Sequence, residues 1–365
     1  MRRSLDKPFL IITLILSFVG FFLFISASTS LLAREGARLS SVVFNQIVFG
    51  LLSGLLAMYL TSRLDYRFWK KYSFFFFLFT FFVSLLVFVP ALGFSSGGAR
   101  RWIQIGSLPS FQPVELLKLG FVVYFAAWVS NIRGKIKTFQ YGLLPLIIIM
   151  ALIALVLLRQ PDTGSLVVIF VAGLSMFFTA GGRWKDMALS LLVASLLFSA
   201  LAFSRPYIRD RILTFFHPEE NTKSSSYQIN QSLIAIGSGQ FFGRGFGQSI
   251  QKFSYLPEPV SDSIFAVIAE EWGFFGSSIL IVLFLAFALR GLKIASASKD
   301  VFGGLLGTGL VILITAQSFL NIASMLGVFP LTGMPLLFVS HGGTALFFAL
   351  AEAGIVLNIS KSGDI

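Results

Sequence analysis

Ten apolar stretches, at or near the length at which a helix crosses a bilayer, constrain this chain more than any other feature. A helix of about 20 apolar residues spans the hydrocarbon core, where it satisfies its own backbone hydrogen bonds. Charged residues make up only 12% of the 365 positions, against about 25% in soluble domains. The sequence therefore predicts an all-α integral membrane protein that forms a single polytopic domain over residues 1–365. The predicted spans are Pro8–Ser26, Val42–Thr61, Tyr72–Leu92, Val114–Val129, Tyr141–Leu158, Ser165–Ala180, Met187–Phe203, Ser263–Leu289, Val301–Leu326 and Thr344–Ile359.

The basic residues predict the orientation of these spans. If the N-terminus is cytoplasmic, the short inner segments carry 16 of the 28 basic residues. The positive-inside rule then predicts that both termini are cytoplasmic. The 16 residues are Arg2, Arg3, Lys7, Arg63, Arg67, Lys70, Lys71, Arg133, Lys135, Lys137, Arg183, Lys185, Arg290, Lys293, Lys299 and Lys361.

The longer connections then lie outside, and the longest is an extracytoplasmic loop of about residues 204–261 between the seventh and eighth spans. A loop of this length is too long to be an idle connector in a compact protein. The net charge of +12 suits anionic lipid head groups or phosphorylated substrates, but the basic residues are scattered between spans, so we expect no nucleic-acid partner. Arginines at outer positions are candidates for phosphate contacts. They are Arg100, Arg101, Arg205, Arg209 and Arg211.

Several kinds of chemistry are excluded. The chain has no cysteine, which excludes disulfides and thiolate catalysis, and only two histidines, His217 and His341, which excludes a His-rich metal site. The glycines of residues 237–247 do not form a Walker A motif, so nucleotide binding is not expected.

A few charged residues fall inside or beside predicted spans. Glu115 and Lys118 share one helix face, Arg159 and Asp162 flank a turn, and Glu352 lies in the last span. One interpretation is structural, with Glu115–Lys118 and Arg159–Asp162 as ion pairs between or within helices. The other is a polar cavity open to the outer face, because intramembrane charges commonly mark a pathway or a site.

Asp262 also has two interpretations. An acidic residue in the first turn of a helix complements the helix dipole and needs no further role. Alternatively, a carboxylate with an ordinary pKa of about 3.9 is ionised at neutral pH and can accept a proton from a hydroxyl group. The polar stretch that precedes Asp262 is rich in glutamine, glycine and basic residues, as expected around an anionic ligand.

Four motif blocks then give a resemblance that covers nearly the whole chain. With these blocks in this order, the chain resembles the SEDS family (shape, elongation, division and sporulation proteins), which are polytopic peptidoglycan glycosyltransferases. The blocks contain Gln112-Pro113-Val114-Glu115, Gln160-Pro161-Asp162-Thr163-Gly164, Leu256-Pro257-Glu258 with Asp262, and Pro330-Leu331-Thr332-Gly333 with Ser340-His341-Gly342-Gly343.

The resemblance implies an enzyme that polymerises lipid II into glycan strands at the outer face of the bacterial cytoplasmic membrane. It also implies ten spans with both ends inside, and partnership with a class B penicillin-binding protein and other divisome proteins among membrane lipids. Residues 247–258 resemble the division-type branch of the family more than the elongation-type branch. An elongation-type polymerase, a lipid II flippase or transporter, and a scaffold without chemistry of its own stay open as alternatives.

The family's essential aspartate falls on Asp262, which the resemblance implies to be the catalytic base for the 4-hydroxyl of the acceptor sugar. The resemblance implies no definite cofactor, and a divalent cation, Mg or Mn, bridging a carboxylate and the pyrophosphate is compatible with this chemistry. The chain departs from the family pattern at Val114, at Ser261 and Ser263, and at His341. The predicted substrate-binding residues are Arg101, Glu115, Lys118, Asp162, Glu258, Gln231 and Ser340.

Overall fold

A computed structural model describes residues 5–34, 36–96, 99–104, 106, 109–132, 134–216 and 224–363 of the chain. Arg2, Arg3, Arg133 and His217, which enter the sequence predictions above, lie outside these ranges, as does part of the predicted extracytoplasmic loop. The structure is a bundle of helices with one small sheet. The helices are α1 (Lys7–Ser28), α2 (Ser30–Arg34), α3 (Gly36–Asn45), α4 (Ser53–Arg63), α5 (Arg67–Leu85), α6 (Pro113–Asn131), α7 (Leu144–Leu157), α8 (Thr163–Thr179), α9 (Trp184–Ser204), α10 (Pro206–Phe216), α11 (Ser224–Ser238), α12 (Gln251–Ser254), α13 (Ile264–Ser296), α14 (Val301–Met325) and α15 (Gly343–Ser360).

Short irregular segments join some of these helices. Gln46–Leu52 and Phe139–Leu143 are π-helical and lead directly into α4 and α7, whereas Leu86–Phe88 and Lys135–Lys137 are 3₁₀ turns. Strands β1 (Gly93–Ser96) and β2 (Ala99–Ile103) form an antiparallel hairpin after α5. Ile103 also exchanges two backbone hydrogen bonds of 2.8 Å with Phe111, which brings the chain back toward the start of α6.

Within the described ranges, nine helices are long and apolar enough to span a membrane, and α8 is a shorter apolar helix. The protein is therefore a multi-pass membrane protein, as predicted. The predicted count of ten spans stays a prediction, since α8 has 17 residues and falls short of a full spanning length. The eighth predicted span is longer than expected, because α13 continues to Ser296 and contains a break at Gly273.

The interior of the bundle is formed by α6, α14 and α15, whose side chains are mostly buried. Close approach of α15 to α4 depends on Gly354, because a Cβ added there would lie 2.0 Å from Thr61 Oγ1. The Thr61 hydroxyl donates to the Ala351 carbonyl at 2.9 Å across the same contact. By contrast, Ser190 is the only buried residue of α9, and most other side chains of this helix are exposed.

Three of the helices have side-chain caps that the sequence supplies. Asp6 accepts a hydrogen bond of 2.9 Å from the Phe9 amide at the start of α1, and Asp300 accepts one from Gly303 at the start of α14. Such caps satisfy amides that have no partner within the helix. Asp162 does the same for α8, with consequences for the site described next.

Candidate functional site

Asp262 lies in the turn immediately before α13, whose N-cap is Ser263. It is therefore outside the first helical turn, and the interpretation of Asp262 as an ordinary dipole-complementing residue of that turn is wrong. Gln228 of α11 donates to Asp262 Oδ2 at 3.3 Å and to Ser263 Oγ at 2.9 Å. The second carboxylate oxygen, Oδ1, is buried and has no hydrogen-bond partner among the described residues. One oxygen of the carboxylate is thus available to a ligand.

The environment of Asp262 raises its proton affinity. Burial raises the pKa of Asp262 to about 6, and the negative charge of Glu258 acts in the same direction against the hydrogen bond from Gln228 and the charge of Arg211. A carboxylate with this pKa is mostly ionised at neutral pH yet is a stronger base than an exposed aspartate. It is suited to taking a proton from a hydroxyl group.

The turn that carries Asp262 is held by residues from the fourth sequence block and from α14. Asn321 donates to the Asp262 carbonyl at 2.8 Å and to the Met334 carbonyl at 2.7 Å. Ser340 donates to the Ser261 carbonyl at 2.5 Å and accepts from the Leu336 amide at 2.8 Å. The Ser340 hydroxyl therefore lies beside the Asp262 turn, and both of its hydrogen bonds are to the protein backbone. The role of Ser340 in substrate binding stays a prediction.

Two arginines approach the same region from different elements. Arg101 of β2 donates to the carbonyls of Gln160 and Pro161 and, at 3.3 Å, to the hydroxyl of Tyr207. Arg211 of α10 stacks on the Tyr207 ring, 4.4 Å from its centroid, and donates to the Thr332 carbonyl at 3.0 Å. Carbonyl and hydroxyl partners do not neutralise a guanidinium, so both side chains keep their charge for an anion.

The two guanidinium groups influence each other. Burial lowers the pKa of Arg211, and the positive charge of Arg101 acts in the same direction. Burial also disfavours the charged form of Arg101, but Asp162, Tyr207 and Asp262 together outweigh it and raise the pKa of Arg101. A pair of partly desolvated cations beside one another is an arrangement that a pyrophosphate would stabilise.

Gly333 lies between Arg211 and Asp262. A Cβ added at Gly333 would lie 3.3 Å from Arg211 Nη2 and 3.9 Å from Asp262 Oδ2. Its φ of +64° is in the left-handed region that favours glycine. A side chain at this position would intrude on the space that separates the base from the cation.

Glu115 and Lys118 form a second polar cluster inside the bundle. Lys118 Nζ lies 2.7 Å from Glu115 Oε2 and 2.5 Å from Gln317 Oε1, and both charged side chains are almost fully buried. Glu352 of α15 is buried beside them and interacts electrostatically with both. Gln317 also donates to the Pro335 carbonyl at 3.2 Å, one turn of α14 from Asn321, which connects this cluster to the Asp262 turn. The predicted ion pair of Glu115 with Lys118 is confirmed.

The remaining predicted residues have different surroundings. Asp162 caps α8 through Ser165, to which it is bonded at 3.1 Å and 2.8 Å, and Arg159 is exposed. The predicted ion pair of Arg159 with Asp162, both of which the structure describes, is therefore wrong, because the helix cap takes the carboxylate. Glu258 is exposed close to Asp262, and Gln231 is half-buried on α11, three residues after Gln228.

The sequence analysis assigned no role to four contributors to the site: Gln228, Tyr207, Gln317 and Asn321. Amides four residues apart in an apolar helix, as in α14, are a signal that could have identified Gln317 and Asn321. No group of three or more His, Asp or Glu side chains that could hold a metal ion occurs in the part of the chain that the structure describes.

Comparisons with known proteins agree with this architecture. Residues 7–364 match the family of cell cycle proteins that comprises FtsW, RodA and SpoVE. The chain is 35% identical over 360 residues to stage V sporulation protein E of Bacillus subtilis (strain 168), with 99% of this chain and 98% of the relative covered. It is also 35% identical over 362 residues to the probable peptidoglycan glycosyltransferase FtsW of Geobacter sp. (strain M18), with the same coverage.

Solved structures of similar fold come from the same group of proteins. A chain from work on the structural coordination of polymerization and crosslinking by a peptidoglycan synthase complex superposes with a TM-score of 0.79 at 26% identity, covering 98% of both chains. A point mutant of the rod shape determining protein RodA of Thermus thermophilus superposes with a TM-score of 0.71 at 25% identity, covering 98% of this chain and 97% of that one.

Proposed function

This chain belongs to the FtsW/RodA/SpoVE family of cell cycle proteins, and on that premise we propose that it is a peptidoglycan glycosyltransferase that polymerises lipid II. The observation that carries the proposal is the Asp262 carboxylate, whose buried Oδ1 has no partner among the described residues. Two arginines, Arg101 and Arg211, lie close enough to interact with it electrostatically. A base beside a cationic pair is what transfer of a sugar from a pyrophosphate requires.

Each group has one role in the proposed reaction. Asp262 takes the proton from the 4-hydroxyl of the acceptor sugar as that oxygen forms a bond to the anomeric carbon of the donor. The bond between the anomeric carbon and the pyrophosphate oxygen breaks, and the lipid pyrophosphate leaves with the electron pair. Arg101 and Arg211 neutralise the charge that develops on it. The proton remains on Asp262 until it is lost to water.

The other predicted residues position these groups. Ser340 holds the Ser261 carbonyl, and Asp162 stabilises the charged form of Arg101 while it caps α8. Lys118 is bound to Glu115 and Gln317 inside the bundle, so we assign it to the support of the Pro335 segment. If a divalent cation takes part, Asp262 is the carboxylate that would hold it, and the cation would supply further positive charge for the leaving pyrophosphate.

The setting of the reaction is proposed on separate grounds. Sequence relatives named FtsW and SpoVE support a role in septal wall synthesis. The basic inner segments support a cytoplasmic membrane location with both termini cytoplasmic. The superposition on a peptidoglycan synthase complex supports a class B penicillin-binding protein as the partner that supplies crosslinking.

The test is polymerisation of labelled lipid II by the purified protein, with and without its cognate penicillin-binding protein. Wild type is expected to form glycan polymer, and Asp262→Asn is expected to form none. Asp65→Asn is the matched control, because Asp65 is an exposed aspartate in a turn between α4 and α5. Polymer from the Asp262 variant at the wild-type rate would contradict the assignment of the base. Absence of polymer from all proteins, together with translocation of lipid II in vesicles, would favour the flippase alternative.

A further inference from the structure

A buried ion pair joins the two sides of the Asp262 turn. Lys252 Nζ lies 2.7 Å from Glu271 Oε1, and neither side chain is exposed by more than 1%. Ser26, near the end of α1, donates to Glu271 Oε2 at 2.5 Å, and its carbonyl accepts from Lys252 Nζ at 3.0 Å. We call Ser26, Lys252 and Glu271 the clamp. It brings together α1, the short helix α12 before the turn, and the first part of α13.

Asp262 occupies the middle of the segment that the clamp closes. Lys252 precedes it by ten residues and Glu271 follows it by nine. The clamp therefore fixes both ends of this segment, and the turn at its middle is constrained by both. Gln228, Asn321 and Ser340 bind the turn itself, whereas the clamp sets where the turn begins and where the helix after it starts.

Contacts beside the clamp join the same two segments of the chain. Glu270 accepts from Ser249 Oγ at 2.5 Å and from the amides of Ile250 and Gln251 at 3.1 and 3.2 Å. The α13 helix is broken at Gly273, where φ is +67°, and a Cβ added at Gly243 would lie 2.1 Å from the Glu271 carbonyl oxygen. The loop thus packs directly against the backbone of the break, where Gly273 is buried.

The buried charges of the clamp favour one conformation of the chain more than they add to the free energy of unfolding. Burying two charges costs several kcal/mol each, which their attraction repays only partly, so apolar residues of similar volume often stabilise a protein as well. A charged pair that is fully buried instead penalises every arrangement in which its members separate. Because the clamp surrounds Asp262 in the chain, the arrangement that it favours is the one in which this carboxylate is enclosed.

We propose that Ser26, Lys252 and Glu271 are positioning residues that hold Asp262 in its enclosed, reactive position. The inference rests on the proposed function, in which Asp262 is the base. If the clamp opens, the turn loosens and the carboxylate, which is half-buried in the intact protein, becomes more exposed to water. The rate should then fall and the acid limb of its pH profile should move to lower pH.

The charged groups that face Asp262 from neighbouring elements are Glu258 in its own turn, Arg101 from β2 and Arg211 from α10. His341, whose amide donates to the Val260 carbonyl, is half-buried, and desolvation lowers the pKa of its imidazole and keeps it neutral near pH 7. The substitutions in the clamp leave all four groups in place. A movement of the acid limb in clamp variants would therefore report on the enclosure of Asp262.

The test compares Lys252→Met and Glu271→Gln with a matched control, a second ion pair between α13 and the start of α1. Arg290 of α13 pairs with Asp6 at the start of α1 at 2.5 Å, at the opposite end of the contact between these helices. Polymerisation rates are measured from pH 5 to 8. We expect each clamp variant to lose about tenfold or more in rate and to move its acid limb down by about one pH unit. Arg290→Gln is expected to keep the wild-type acid limb.

A second measurement keeps the inference testable apart from catalysis. Hydrogen exchange of residues 253–263 should increase in both clamp variants and stay unchanged in Arg290→Gln. The double reversal Lys252→Glu with Glu271→Lys should restore part of the protection and of the rate. Wild-type exchange in both clamp variants, or an equal change in the Arg290 variant, would overturn the clamp. If wild type forms no polymer, the proposed function fails while hydrogen exchange still decides the clamp.

Discussion

Replacing Asp262 by Asn should make the protein inactive but more stable at neutral pH. Burial raises the pKa of Asp262 from 3.8 to about 6, so the ionised form is disfavoured in the folded protein. A shift of about 2 pH units corresponds to roughly 3 kcal/mol, and the partial exposure of Asp262 to screening water reduces this to between about 1 and 3 kcal/mol. Asn carries no charge and avoids this cost.

The pH dependence has a definite sign. Because the folded-state pKa is raised, the contribution of Asp262 to stability is full below the unfolded-state value near pH 4. This contribution is lost as pH rises through about 6. Above that pH, the ionisation of Asp262 no longer changes the free energy of unfolding. The advantage of Asn is therefore largest above pH 7 and falls to about a third of that value at pH 4.5.

The assay is thermal unfolding of the purified protein in detergent, followed by tryptophan fluorescence at pH 7.5 and pH 4.5. We expect Asp262→Asn to raise Tm by about 2–5 °C at pH 7.5 and by clearly less at pH 4.5. Asp65→Asn, at an exposed site, should change Tm little at either pH. An Asp262 variant that is no more stable than wild type at pH 7.5, or equally stabilised at both pH values, would refute the reasoning.

Three further predictions follow from the geometry. Lys118→Met should lower the free energy of unfolding by about 3–5 kcal/mol, because it leaves Glu115 buried without its cation, and adding Glu115→Gln should recover most of the loss in Tm. Arg211→Gln should reduce the polymerisation rate about 100-fold with Tm little changed, because one cation near the leaving group is removed. Gly333→Ala should reduce the rate at least tenfold and lower stability by about 1 kcal/mol, since the Cβ approaches Arg211 and the backbone is left-handed. Gel analysis of glycan products and thermal unfolding check the last two, and a wild-type rate in either variant would contradict the proposed placement of Arg211.

The sequence predicted those features that depend on local patterns. Apolar runs of spanning length identified a multi-pass membrane protein because hydrocarbon leaves few alternatives to helices. The pairing of Glu115 with Lys118 followed from their spacing on one helix. The motif blocks identified the family because each block is short and contiguous.

Features that depend on the meeting of distant segments were not predictable in this way. Asn321 reaches the Asp262 carbonyl from α14, 59 positions away in the chain, and Ser26 reaches Glu271 across 245 positions. Asp162 was predicted to pair with Arg159 because the two are close in sequence, but the α8 amides compete successfully for its carboxylate. The break at Gly273 also had no local signal, since glycine is frequent in membrane helices.

The pH dependence of glycan polymerisation by the purified protein tests the central claim most directly. With labelled lipid II at saturating concentration and the cognate penicillin-binding protein present, the rate should rise about tenfold per pH unit below an apparent pKa of about 6 and level off above it. Asp262→Asn should show no polymer across the same range. A wild-type rate that does not change between pH 5 and 8, or an Asp262 variant that polymerises, would contradict the assignment of Asp262 as the base.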